Sequence, residues 1–209
     1  HWNYVAPELI EAAIRRGGYR GMGVADIMKE AGLTHGGFYA HFASRDALLV
    51  EAMQHAGRES AAALTAAIER RVARGRTPFE ALVESYLHDA HLDRPEQGCV
   101  VAALASEMTR QDDAVRDEAR ARVQALVERV AAALPEGHDP AQAAVVTATM
   151  VGALQLARTL DGAAGRAVLS QAREALLRAH VSSETASPSA PPSTSPPASR
   201  RSTRAASAA

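Results

Sequence analysis

Three groups of residues have types and spacings that could do chemistry. The first is His88-Asp89-Ala90-His91, two histidines three positions apart beside a carboxylate, near enough on a helix to share a metal ion. The second is Cys99, the chain's single cysteine, in Gln97-Gly98-Cys99-Val100, where a polar loop turns into an apolar run. A thiol at a helix N-terminus is held toward its thiolate and gains nucleophilicity; the bland alternative is a small buried hydrophobe. The third is a set of hydrogen-bond donors, Thr34, His35, Tyr39 and His41, interleaved with Gly36 and Gly37. Such side chains suit phosphate oxygens and base edges.

One cysteine excludes an internal disulfide and a Cys-rich zinc site. No phosphate loop, nucleophile elbow or Cys-His pairing is present. An enzyme or a metal-responsive regulator would therefore rest on His88, Asp89 and His91, with a second His-Asp pair, His138-Asp139, at an expected helix cap. Solvated helix histidines are the plainer reading, so neither catalysis nor a cofactor is expected.

The elements that must position the donor set are legible between Val24 and Phe42. Val24, Ile27, Met28 and Ala31 recur at helical spacing, Gly32 can adopt the left-handed conformation that ends a helix, and Thr34 can cap the next. Leu33, Phe38 and Phe42 then face inward, leaving Thr34, His35, Gly36, Gly37, Tyr39 and His41 outward. This is the layout of a helix-turn-helix, whose second helix meets bases and phosphates with its N-terminal end. Glycine costs about 1 kcal/mol in a helix interior relative to alanine, and close approach of backbone to DNA gives Gly36-Gly37 a reason.

The run Gly-Leu-Thr-His-Gly-Gly-Phe-Tyr-Ala-His-Phe-Ala-Ser-Arg-Asp-Ala-Leu-Leu, from Gly32 to Leu49, resembles the recognition helix and following linker of the TetR/AcrR family of bacterial transcriptional regulators. The resemblance implies DNA contacts by Thr34, His35, Tyr39, His41 and Arg45. It also implies a homodimer, formed by the last two helices pairing with their two-fold mates as a four-helix bundle. Gln97 to Glu107 is similar to a Gly-Cys helix start in one branch of the family, some of whose members sense oxidants or electrophiles through this cysteine. In that resemblance Arg158 is the basic residue near Cys99. Two departures stand out: Ala12-Ala13 is followed almost at once by Gly18-Tyr19, which shortens the first helix, and Met28 holds a position often given to alanine.

Composition sets the outer bounds. The chain has 209 residues, 47% of them hydrophobic and only 4% aromatic, with alanine runs such as Ala61-Ala62-Ala63 that favour close-packed helices over a sheet. The formal net charge of -1 gives no global basic signal, so any charge that binds DNA must be local. No apolar run is expected to reach the ~20 residues that span a bilayer, and no secretion signal is apparent. A cytoplasmic protein with no membrane partner is the expectation.

The rest of the chain predicts an all-α body, giving about nine helices in total. Ser44 is expected to cap a long helix from Arg45 toward Arg71, and Thr77-Pro78-Phe79-Glu80 is a capping box. Further helices are expected over Cys99 to Thr109, Asp113 to Leu134, from Asp139-Pro140-Ala141-Gln142 through Leu160, and Ala164 to about Val181. The expected division is a DNA-binding head over 1–46, an effector-binding and dimerisation body over 47–181, and a disordered tail over 182–209 rich in Ser and Pro. Within the body, Tyr86, Met108, Met150, Leu154 and Gln155 are candidate walls of an effector pocket, with Cys99 and Arg158 as candidate sensing residues. Together these readings give a dimeric repressor that binds a near-palindromic operator in double-stranded DNA. A small-molecule inducer or an electrophile releases it.

Overall fold

The computed structural model describes residues 42–181 together with Lys29, and every regular element among the described residues is helical. The all-α expectation holds there. Helix α1 spans Arg45–Val72, α2 Pro78–Tyr86, α3 Asp89–Asp93, α4 Val100–Met108, α5 Asp113–Ala133, α6 Gln142–Leu160 and α7 Gly162–Val181, with a short 3-10 turn at Pro95–Gln97. The expected elements before Phe42 and the tail over 182–209 lie outside the described residues.

Local chemistry sets several of these boundaries. The Ala47 N–H donates to Ser44 Oγ at 3.1 Å, capping α1 as the sequence predicts. At α2 the capping box closes in both directions: Glu80 N–H donates to Thr77 Oγ1 at 3.2 Å, and Thr77 N–H donates to Glu80 Oε2 at 2.9 Å. Arg76 reaches Glu84 at 2.9 Å and Arg71 lies 3.7 Å from the same carboxylate, fastening the end of α1 to α2.

Three expectations need correction. Asp139 does not cap α6 through a capping box. Its Oδ1 accepts from Ala141 N–H at 2.9 Å, and Gln142 N–H donates to the Asp139 carbonyl, so a tight turn precedes a helix that begins only at Gln142. Helix α7 starts at Gly162 rather than Ala164, because Asp161 takes a φ of 54° and Gly162 a φ of 49°, reversing the chain within two residues. And α6, with 19 residues, is long and apolar enough by length and composition to cross a membrane, which the sequence reading did not anticipate. Its inner face, with Ala143, Val146, Met150, Leu154 and Ala157, is buried in the core, the usual reason a helix of a packed domain passes that test.

The core is one continuous cluster. Phe42, Leu48, Leu49 and Met53 join Phe79, Leu82 and Tyr86, then Val115, Leu126 and Val130, then the inner face of α6 and Leu169 and Leu176 of α7. Helix α7 folds back on α6 over its length, α1 packs on α2 and α5, and α4 bridges α5 and α6. Gly165 makes the α6–α7 approach possible, since a Cβ there would lie 2.3 Å from the Ala157 carbonyl oxygen. Helix α1 runs unbroken through positions 46 and 47, so its N-terminal turns and the body share one rigid rod.

Candidate effector site

A cavity of about 430 Å³ lies against α1 and is closed by α5 and by the segment from the end of α2 to the start of α4. Its α1 wall is mostly small: Gly57, Ser60, Ala61 and Ala67, with Leu64 among them, follow one face of the helix and leave room where larger side chains would fill it. The α5 wall is Arg122, Ala125, Leu126 and Arg129, again one helical face. Gly57 and Arg122 fit each other, since a Cβ at Gly57 would sit 2.7 Å from Arg122 Cδ.

The third wall carries the chemistry. Tyr86, His91, Gly98 and Cys99 all line the cavity. Cys99 is the N-cap residue of α4, half-buried and with a free thiol. Its backbone N–H donates to His91 Nε2 at 2.8 Å, and His91 Nδ1 lies 2.8 Å from the Tyr86 carbonyl oxygen. Since Nε2 accepts, the proton sits on Nδ1, which donates to that carbonyl; the neutral tautomer is fixed by its partners. The His91 ring also meets the Tyr86 ring edge-on, with centroids 4.9 Å apart.

Arg158 backs this shelf from α6. Its Nη2 donates to the His91 carbonyl at 3.1 Å, and a Cβ on Gly98 would lie 2.7 Å from both that nitrogen and the His91 ring. The Tyr86 hydroxyl is fully buried and finds no well-aligned hydrogen-bond partner among the described residues, though it interacts with the Cys99 thiol. Burial, and then the neighbouring Cys99, push its pKa well above the ordinary tyrosine value.

The candidate residues therefore separate. Tyr86 and Cys99 share the cavity wall, with Arg158 directly behind it. Met150 and Leu154 are fully buried in the core, and Gln155 donates from its side chain to the Ala102 carbonyl at 3.2 Å, pinning α4 to α6. Met108 ends α4. Thr34, His35, Gly36, Gly37, Tyr39 and His41 lie outside the described residues, while Arg45 opens α1 at 4.0 Å from Asp46. Burial, then a carboxyl–carboxyl contact with Asp112, raise the Asp46 pKa.

The metal alternative loses its geometry. His88 stands outside α3 as its N-cap, with Nδ1 accepting from Ala90 N–H at 3.1 Å, and both ring nitrogens of His91 are committed to backbone groups. Among the described residues no three His, Cys, Asp or Glu side chains converge as a metal site would need. Sequence reasoning passed over His91 as a structural clasp, and over Arg122 and Arg129 in the cavity. The small-residue stripe on α1 and the spacing of Arg122, Ala125, Leu126 and Arg129 on α5 were the available signals.

Comparison with known proteins agrees with this architecture. Residues 9–52 match the model for bacterial regulatory proteins of the tetR family, and residues 75–182 match that for the tetracyclin repressor-like C-terminal domain. A comparison with curated protein sequences finds no match. Among solved structures, a TetR-family transcriptional regulator from Agrobacterium tumefaciens is 25% identical, covers 85% of this chain and 98% of its own, and superposes with a TM-score of 0.69. A TetR transcriptional regulator from Legionella pneumophila is 19% identical over 86% of this chain and 97% of its own, with a TM-score of 0.71. The reduced form of NemR from E. coli is 19% identical over 83% and 95%, with a TM-score of 0.65. With one family model covering the N-terminal region and another more than half of the chain, this protein belongs to the TetR family of transcriptional regulators, its helix-turn-helix DNA-binding domain followed by the helical body described above.

Proposed function

We propose that the chain acts as a homodimeric repressor on a near-palindromic operator, in the cytoplasm, and that filling the cavity beside Cys99 releases it from DNA. The observation that carries this reading is the position of the cavity against α1, the helix whose first turns follow the helix-turn-helix region directly. A ligand between α1 and α5 that prefers one tilt of α1 would shift the two heads of a dimer relative to each other. A change in operator affinity needs only that this tilt fit DNA poorly.

Cys99 offers a second way to fill the same space. Its thiol stands at the N-terminus of α4 in the cavity wall, so a group attached to sulfur would occupy the cavity as a reversible ligand does. The outer face of α6 supports the dimer. Val145 is 67% exposed, Leu156 60% and Leu160 55%, with the small residues Ala148 and Gly152 between them, and α7 presents Ala164, Ala167 and Ala175 to the outside. An apolar stripe with small residues at its centre suits close packing against the same stripe of a second copy.

Footprinting on DNA selected from a random pool tests the reading. The expected result is protection of two related half-sites with centres about one helical turn, ~34 Å, or a multiple of it apart. Tyr39→Phe should weaken binding across sequences, and changes at His35 should alter base preference. A monomer protecting a single site would overturn the proposal.

A further inference from the structure

Four arginines line the cavity, Arg70, Arg94, Arg122 and Arg129, and no carboxylate does among the described residues. Their partners differ. Arg122 Nε lies 2.8 Å from Glu118, which is itself held by Gln54, so that charge is balanced. Arg129 Nη1 donates to Thr65 Oγ1 at 2.6 Å, and the Thr65 hydroxyl in turn donates a hydrogen bond to the Ala61 carbonyl. A hydroxyl orients the guanidinium without neutralising it. Arg70 and Arg94, both exposed, stand at the rim and make no ion pair among the described residues. Ala61, Leu64, Ala67, Val101, Ala125 and Leu126 make much of the remaining surface apolar, with Ser60, Ser85, His91 and Gln97 as its polar lining.

A half-buried guanidinium with only a neutral partner is under-compensated, and a pocket of uncompensated cations over apolar walls attracts anions that carry apolar bodies. Resting on the reading of this cavity as the effector site, we propose that its ligand is an amphiphilic organic carboxylate. Its carboxylate pairs with Arg129 and its apolar body lies between the small-residue face of α1 and Ala125 and Leu126 of α5. The planar fork of arginine suits two parallel hydrogen bonds to a carboxylate. Arg122 and Arg129 are separated by seven residues, about 10 Å along the helix, so one small head group engages one of them. Arg129 is the one free of a carboxylate. Arg70 and Arg94 raise the local positive potential at the entrance.

The test uses the full chain with three acid and amide pairs of matched shape: benzoate and benzamide, 1-naphthylacetate and 1-naphthylacetamide, decanoate and decanamide. Calorimetry measures binding, and a separate titration measures release of selected DNA. At least one acid should bind tenfold or more tighter than its amide and release DNA, and Arg129→Gln should remove most of that preference. Inorganic phosphate should compete poorly, having charge without an apolar body. Equal binding of acid and amide, an acid preference that survives Arg129→Gln, or phosphate competing as well as the best acid would each overturn the ligand class while leaving the cavity as an effector site. Binding of none of the six compounds would also overturn it. Tight acid binding that leaves DNA affinity unchanged would instead contradict the effector reading. Arg129→Gln is checked by its circular dichroism, and Arg70→Gln, on the exposed rim, should lower acid affinity two- to fivefold without touching the core.

Discussion

The backbone N–H of Cys99 donates to Nε2 of His91 across eight residues of chain, at 2.8 Å. Through that one ring the start of α4 is tied to the end of α2, because the opposite nitrogen of His91 donates to the Tyr86 carbonyl. The cysteine that lines the cavity is thus carried on a backbone that cannot shift without breaking a part-buried bond.

His91→Ala should therefore destabilise the body by about 1 kcal/mol or more, since it leaves two part-buried backbone groups without their partner. Gly98→Ala should cost a similar amount by crowding, since its Cβ would press on a His91 ring fixed on both sides and on the Arg158 guanidinium bonded to the His91 carbonyl. Urea denaturation of both variants checks this. Stability within 0.5 kcal/mol of wild type, a margin typical of substitutions away from such features, would show that the clasp does not hold the body together.

Tyr86→Phe should be close to neutral at pH 7, because the hydroxyl it removes has no well-aligned partner among the described residues. At alkaline pH the two proteins should part. The Tyr86 pKa is raised in the folded state by burial first, so above about pH 10 the unfolded chain loses this proton while the folded chain keeps it. That contribution is fully present below the unfolded value and is lost as pH rises through the folded one. Tyr86→Phe should hold its stability further into the alkaline range, as thermal melts from pH 8 to 11 would read; parallel curves would contradict it.

Much of the scaffold was legible because its signals are local. Ser44 and the Thr77-Glu80 pair act within three residues, so their caps could be read from spacing alone. Asp139 misled because Pro140 follows it and a turn intervenes, a choice of hydrogen bond that residue types do not reveal. The cavity was harder still. Its walls come from residues within 57–70, 85–101 and 122–129, and apolar periodicity does not separate a cavity wall from a core position: Met150 and Leu154 read alike from sequence and are fully buried. The helix-turn-helix was recognised from residues that lie mostly outside the described region, and the family match over residues 9–52 supports it independently.

Leu156→Arg should split the dimer while leaving each chain folded. The side chain is 60% exposed in the single chain, so the substitution disturbs little intramolecular packing, yet it places a charge within the proposed α6 face. Sedimentation should show monomers with unchanged helicity and operator affinity reduced at least tenfold. A dimer that persists would move the interface elsewhere.

The central claim, that occupying the cavity beside α1 releases DNA, is tested most directly by covalent labelling, since Cys99 is the only cysteine in the chain and its modification can be counted without ambiguity. Wild type and Cys99→Ser are treated with N-ethylmaleimide, one adduct per chain is verified by intact mass, and affinity for selected operator DNA is measured with dimerisation monitored in parallel. The account predicts that the singly labelled wild-type dimer loses operator affinity at least tenfold while treated Cys99→Ser binds as before. A fully labelled, folded dimer that keeps its operator affinity would contradict it.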